Sequence, residues 1–188
     1  MGLVIRNVVE YAAIFGLWWG TALCLVRWTD YPILCLAIVL CLSLMKSAFF
    51  GLENLRQLFE ATRDNQPYHR FMLLMLVNMS QIIVSFGLDY HCLHLVSPGS
   101  FGELSSGPWE SETVFEFVYF STLNFTFFGY GDMTPLTIPA KLLTMSEILL
   151  AFITVIFLLS DFISLKESLL SGNRRKLPST ANPSDTSI

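Results

Sequence analysis

The stretch TVFEFVYFSTLNFTFFGYGDMTP, Thr113–Pro135, decides the fold of this chain. It is apolar enough to enter a bilayer, but Gly129, Gly131 and the final proline interrupt a continuous helix. Non-helical backbone at membrane depth is tolerated only where protein buries it or water bathes it, so the stretch predicts a re-entrant loop. Its first part predicts a short helix that begins with a capping box at Thr113–Glu116 and runs to about Thr126.

Glycines alternate with large residues at the centre of the stretch, in the sequence Phe128-Gly129-Tyr130-Gly131-Asp132. Glycine reaches backbone dihedrals that other residues avoid, and this alternation lets successive carbonyl groups point into one axial channel. The last carbonyl groups of the short helix carry the negative end of its dipole. We expect them to face the membrane centre, where a cation needs stabilisation.

Two segments, Tyr119–Thr126 and Phe128–Pro135, resemble the pore helix and selectivity filter of tetrameric potassium channels. The resemblance covers about half the chain, roughly Phe71–Leu165. It implies an all-α membrane protein with four transmembrane helices plus a re-entrant pore helix and filter loop, assembled as a homotetramer. In that family the filter carbonyls replace the hydration shell of the ion, which gives passive, potassium-selective permeation.

The resemblance also assigns site residues. K⁺ would be bound by the backbone carbonyl groups of Phe127, Phe128, Gly129 and Tyr130, with Gly131 completing the filter and Asp132 at the outer mouth. The family usually has Thr at the position of Phe127, so the hydroxyl groups of the innermost ion site are lost here. Aromatic rings there would crowd the cavity below the filter. A weakly selective or nearly silent cation channel is therefore an alternative.

Two further function classes stay open. The chain could be a non-conducting accessory subunit that assembles with other pore chains. Gly129-Tyr130-Gly131-Asp132 also matches the GxGD motif of intramembrane aspartyl proteases, which need a second membrane aspartate. Asp89 and Asp161 are the candidates for that role, but the chain has few spans for such an enzyme. The sequence therefore favours a protein that is not an enzyme.

Composition agrees with a membrane protein. Of 188 residues, 53% are hydrophobic and only 14% are charged, against roughly 25% charged in soluble domains. The apolar spans predict four segments: an N-terminal transmembrane hairpin at 1–50, an amphipathic cytoplasmic linker at 51–70, a pore module at 71–165, and a disordered cytoplasmic tail at 166–188. The hairpin is expected to pack around the pore module as a scaffold.

Polar residues inside the spans are expected to face protein rather than lipid. Asn78, Gln81, Ser85 and Asp89 form one helical stripe in the third span, which predicts interhelical hydrogen bonds. Lys46, near the end of the second span, is expected to snorkel.

The last span has two possible registers. One face carries Glu147, Ala151, Thr154, Leu158 and Asp161, and the family alignment instead aims Phe152, Val155, Leu159 and Ile163 at the axis. The sequence does not choose between them. The pore-lining candidates are therefore Phe152, Thr154, Val155, Leu159 and Asp161. Glu147, if buried, is expected to be protonated or hydrogen-bonded behind the pore helix.

Charge distribution predicts the topology. With both termini cytoplasmic, nine of the 11 Lys and Arg residues lie inside and only Arg27 and Lys141 lie outside, which obeys the positive-inside rule in a cell membrane. No span carries a basic residue at every third position, so no voltage sensor is expected. The net charge of -4 argues against nucleic acid as a partner. Arg174, Arg175 and Lys176 are candidates for contact with anionic lipid. No cofactor is expected beyond the permeant K⁺.

Overall fold

The structure is a computed structural model that describes residues 2–27, 31–64, 68–102, 111–129, 131 and 133–174. Within those ranges, side chains are described for residues 6–25, 27, 31–53, 56, 72–102, 111–129, 131 and 133–160. Asp132, predicted at the outer mouth, and Tyr130, predicted in the filter, lie outside the described residues, as does the side chain of Asp161.

The described residues form five helices and no strands, which confirms the all-α fold class. The helices are α1 (Gly2–Arg27), α2 (Pro32–Asp64), α3 (Tyr68–Val96), α4 (Ser111–Phe125) and α5 (Ile138–Arg174). Four of them are long and apolar enough to cross a membrane, with candidate spans at Arg6–Leu25, Pro32–Glu53, Met72–Val96 and Ile138–Ser160. At 15 residues α4 falls short of the roughly 20 that a bilayer requires.

Helix boundaries differ from the sequence-based expectation at three places. The predicted linker is continuous with the second span, because α2 runs without a break to Asp64. Residues 166–174 of the predicted disordered tail are helical, since α5 continues to Arg174. The short helix α4 begins at Ser111, two residues before the predicted capping box, so Thr113 lies inside its first turn. Each long helix extends beyond the apolar core because polar residues are also good helix formers outside it.

The third helix is the centre of the fold, since α1, α2, α4 and α5 all pack against it. The second helix also packs along α5, where Gly51 brings the α2 backbone close to Leu150. The two N-terminal helices therefore contact the remainder of the chain through α3 and α5. This arrangement fits a scaffold around the loop between α4 and α5.

Aromatic side chains fill the core between α3, α4 and the segment that follows α3. The rings of Tyr90 and Phe120 are 5.1 Å apart, and those of Phe101 and Phe117 are also 5.1 Å apart, both pairs meeting edge to face. Such pairs add about 0.5–1.5 kcal/mol each to the burial of their apolar surface. The aromatic core fixes α4 against α3.

Candidate functional site

The short helix α4 ends in a backbone motif that starts the glycine-containing loop. The N–H of Phe127 donates to the carbonyl of Asn124 at 3.2 Å, and the N–H of Phe128 donates to the carbonyl of Leu123 at 3.0 Å. These two bonds define a Schellman motif, in which the residue after the helix cap adopts a left-handed conformation. Phe127 occupies that position with a φ of 59°. A side chain is costly there by about 1–2 kcal/mol, and glycine is the usual occupant.

The residues that follow, Phe128 and Gly129, are exposed in the single chain. Gly129 has a φ of 87°, so positive φ occurs at residues 127 and 129 but not at Phe128 between them. The side chain of Phe128 is 85% exposed in the single chain. Gly131 lies against α4, because a Cβ built on it would be 3.2 Å from Leu123 Cδ1. The segment therefore runs back along the helix that it leaves.

The far end of the loop is tied to the segment after α3. The N–H of Gly102 donates to the carbonyl of Thr134 and the N–H of Leu136 donates to that of Ser100, both at 2.9 Å. These bonds enclose an antiparallel bridge between Phe101 and Pro135. The loop is thus held at both ends by main-chain hydrogen bonds.

Close helix packing positions α4. A Cβ atom added to Gly87 of α3 would lie 2.8 Å from both Cα and Cγ2 of Val118 in α4. Only glycine permits this approach of the two backbones without a shift of one helix. The position of α4, and hence of the loop that follows it, depends on this contact.

A buried carboxyl group joins three helices behind the loop. Glu147 of α5 is 0% exposed. Its carboxyl group accepts hydrogen bonds from the hydroxyl of Tyr90 on α3 at 2.5 Å and from the amide of Asn124 on α4 at 3.3 Å, and it is also hydrogen-bonded to Ser121 on α4. The sequence-based expectation that Glu147 is hydrogen-bonded behind the short helix is therefore confirmed.

The hydrogens of this cluster can be counted. Ser121 has one hydroxyl hydrogen, yet its oxygen lies within hydrogen-bond distance of the Ile83 carbonyl, at 2.8 Å, as well as of the Glu147 carboxyl group. Both contacts are hydrogen bonds at once if Ser121 donates to Ile83 and accepts a hydrogen from Glu147. The geometry therefore suits a Glu147 that carries a proton.

The faces of α5 resolve the two registers that the sequence left open. Glu147, Ala151 and Thr154 are buried within the chain. Thr154 is only 1% exposed, and its hydroxyl donates to the Leu150 carbonyl at 2.8 Å, so it faces its own subunit. A residue that lines a pore between chains has to be accessible in one chain, so the burial of Thr154 counts against its prediction as a pore-lining residue.

The free face of α5 carries the family-aligned register. Phe152 and Leu159 are exposed and Val155 is partly exposed. Exposed apolar residues continue along the same face at Met145, Leu149 and Ile156. This face is therefore exposed in the single chain along the candidate membrane span.

Polar contacts connect the two N-terminal helices to α3. Lys46 of α2 forms an ion pair with Asp89, which corrects the expectation that it snorkels to the interface. Gln81 donates from its amide group to Glu10 of α1 at 3.0 Å. The predicted polar stripe therefore faces protein, as expected. Asp89 is also less suited to the protease alternative, because its described partner is an ammonium group rather than a second carboxylate.

Against this fold, the chain can be compared with known proteins. The model of a family described as "Ion channel" matches residues 72–167, just over half of the chain. The chain belongs to this ion channel family. No curated protein and no solved structure matches it. The matched part of the channel includes α4, the loop and the free face of α5, and the family is one of ion channels rather than enzymes.

Sequence reasoning located the loop of the channel but missed the partners that hold it. Phe127, Phe128, Gly129 and Gly131 lie together in one exposed segment. The Glu147 contacts with Tyr90, Ser121 and Asn124 were not foreseen. Ser121 and Asn124 are one turn apart in the second half of α4, and a polar pair of this kind at membrane depth signals a buried partner.

Proposed function

We propose that the chain is a potassium-selective channel, that four copies surround one axis in the cell membrane, and that K⁺ passes along the carbonyl groups of Phe127, Phe128, Gly129 and Tyr130. The observation that carries the proposal is the backbone of the loop, which has positive φ at Phe127 and Gly129 on either side of Phe128. Alternation of this kind suits a row of carbonyl groups directed to one side. Such carbonyl rows replace the water around a permeating cation.

The exposure of the loop supports assembly. A single loop cannot surround an ion, and Phe128 is open to solvent in one chain although both ends of the loop are fixed. Identical neighbours arranged in a closed ring would cover it. The free apolar face of α5, from Met145 to Leu159, offers the remaining contact area and the wall of an inner cavity.

The topology belongs to the same proposal. Both termini are cytoplasmic, which puts the Asp132 side of the filter outside and the end of α5 inside. Anionic headgroups of the inner leaflet are contacted by three consecutive basic residues at the end of α5 and just after it, Arg174, Arg175 and Lys176. Permeation needs no cofactor other than the permeant K⁺.

Phe127 favours a second candidate, a channel of weak selectivity or low conductance. Its side chain is 49% exposed at the point where the loop leaves α4. Four such rings around an axis would narrow the path below the filter. The family threonine would instead contribute hydroxyl groups at this position.

The test is ion flux into liposomes that contain the purified protein, with K⁺, Rb⁺ and Na⁺ compared under matched gradients. We expect K⁺ and Rb⁺ flux to exceed Na⁺ flux and to be lost in Gly129→Ala, because φ of 87° strains any side chain. Gly99→Ala is the matched control, since a Cβ there meets nothing within 4 Å. Equal Na⁺ and K⁺ flux would establish the weakly selective alternative, and assembly only with other pore chains would establish the accessory subunit.

Two variants at one position separate the effects of Phe127. Phe127→Gly removes the ring and retains the positive φ. Phe127→Thr also adds the hydroxyl, and we expect it to increase K⁺ flux. An increase in both variants identifies crowding by the ring as the limit on conduction, whereas an increase in Phe127→Thr alone identifies the missing hydroxyl. Unchanged or lower flux in both would refute the idea that Phe127 limits permeation.

A further inference from the structure

A groove of about 390 Å³ separates α1 from α2 on the membrane-spanning part of both helices. Gly16–Leu25 forms one wall, and Cys35, Ile38 and Leu42 belong to the other. The two helices make little direct contact among the residues that the structure describes, because each packs on α3. Something other than the described part of this chain must fill the space between them.

The walls of the groove are hydrocarbon in character. Thr21 is the one hydroxyl-bearing residue among those that line it, and its hydrogen is already donated to the Leu17 carbonyl at 2.7 Å. The Thr21 hydroxyl therefore keeps its hydrogen bond when an apolar group occupies the groove. Water, by contrast, would find few partners along this surface.

The dimensions favour an acyl chain over a helix. At a rise of 1.5 Å per residue, Gly16–Leu25 extends about 14 Å, close to half of the roughly 30 Å hydrocarbon core. The groove therefore spans about one leaflet. A helix of the same length and about 10 Å in diameter would occupy about 1,100 Å³, more than the roughly 800 Å³ of non-atom space in the groove.

Small residues keep the groove open. A Cβ atom added to Gly16 or Gly20 would meet nothing within 4 Å, so these glycines do not serve close helix packing inside the chain. Arg27 lies on the same helical stripe, because Gly16, Gly20 and Arg27 stand at i, i+4 and i+11. Arg27 is exposed in the last turn of α1. The stripe thus leads from an apolar groove to a cation at the end of the membrane span.

We propose that this groove binds a phospholipid, with one acyl chain between α1 and α2 and the phosphate at Arg27. The charges are complementary, since guanidinium binds phosphate oxygens and a basic residue at the membrane surface attracts a lipid phosphate. The lipid belongs to the leaflet where α1 ends and α2 begins. It completes the contact between two helices that scaffold the channel, and its binding does not depend on which ion permeates.

The experiment uses the full chain in phosphatidylcholine vesicles that contain a small fraction of phosphatidylglycerol with a photoreactive diazirine in its acyl chain. A diacylglycerol with the same diazirine chain is the matched probe without phosphate. After irradiation, labelled peptides are mapped by mass spectrometry. We expect labelling to be concentrated in residues 16–25 and 35–42. It should be about fivefold higher for phosphatidylglycerol than for diacylglycerol, because one basic residue at the membrane surface increases the affinity for an anionic lipid by about that factor.

Variants test each part of the site. Gly16→Leu/Gly20→Leu fills the groove and should abolish the groove labelling, whereas Ala12→Leu, on an exposed part of α1 outside the groove, should leave it unchanged. Arg27→Gln should reduce phosphatidylglycerol labelling to the diacylglycerol level. Arg27 is exposed, so this variant remains informative if the filled groove impairs folding.

Three results would overturn the proposal. One is labelling spread evenly over exposed positions such as Val8 and Leu23. The second is groove labelling that persists in Gly16→Leu/Gly20→Leu. The third is the absence of lipid labelling together with photo-cross-links between copies at the groove, which would assign it to a second chain.

Discussion

Replacement of Glu147 gives the sharpest test of how the loop is held. In Glu147→Ala the hydroxyl of Tyr90 and the amide of Asn124 lose the acceptor that they now share, while Ser121 can still donate to the Ile83 carbonyl. An unsatisfied buried donor costs about 1–3 kcal/mol. Two of them at a side chain that is 0% exposed amount to roughly 4 kcal/mol, before the cavity that alanine leaves is counted.

Glu147→Gln is the discriminating variant. If Glu147 carries a proton, the amide of glutamine reproduces its pattern, because the carbonyl accepts from Tyr90 and the NH₂ group donates to Ser121. We therefore expect a free-energy change below about 1 kcal/mol. Lys141→Ala, at an exposed position of α5 outside the Met145–Leu159 face, controls for a general effect of substitution in the same helix.

Stability is measured by denaturation of the purified protein in detergent, and K⁺ flux is measured in liposomes. We expect Glu147→Ala to lose both stability and flux, and Glu147→Gln to retain both. Equal damage in the two variants would refute the hydrogen count, since a charged acceptor would then be required. Wild-type stability in Glu147→Ala would show that the cluster does not hold α4.

Further substitutions test other contacts in the same stability assay. Lys46→Met should lower the free energy of unfolding by about 2–4 kcal/mol, because it leaves Asp89 buried without its cation. The double variant Lys46→Met/Asp89→Leu should recover most of that stability, and additive losses would contradict this. Gly87→Ala should lower the free energy of unfolding by about 1–3 kcal/mol, because the added Cβ clashes with α4. The same change at Gly16 should be neutral or stabilising, and equal effects at the two glycines would argue against close packing at Gly87. Phe127→Gly should stabilise the fold by about 1 kcal/mol, because glycine adopts the same positive φ without the strain of a side chain. A loss of stability would mean that the ring packs in the assembly.

Much of the site was readable from the sequence because its signals are local. Gly129, Gly131 and the proline that follows exclude a continuous helix within a few residues of one another. The lengths of the apolar runs likewise predict four spans without knowledge of their neighbours. The helix start at Ser111 lies two residues before the predicted one, because a capping pattern in the sequence locates a helix end only to within one or two residues.

The sequence by itself determined that this is an all-α membrane protein of four spans with a broken, glycine-containing loop between the last two, since residues close together along the chain decide where a helix can persist. Only the tertiary structure decided which side of α5 is free, because apolar residues are distributed around that helix and the sequence offers two competing faces. The sequence also left the partners of Glu147 and Lys46 undetermined. Each lies on another helix, and the distance between side chains more than 20 residues apart is set by packing rather than by the local backbone.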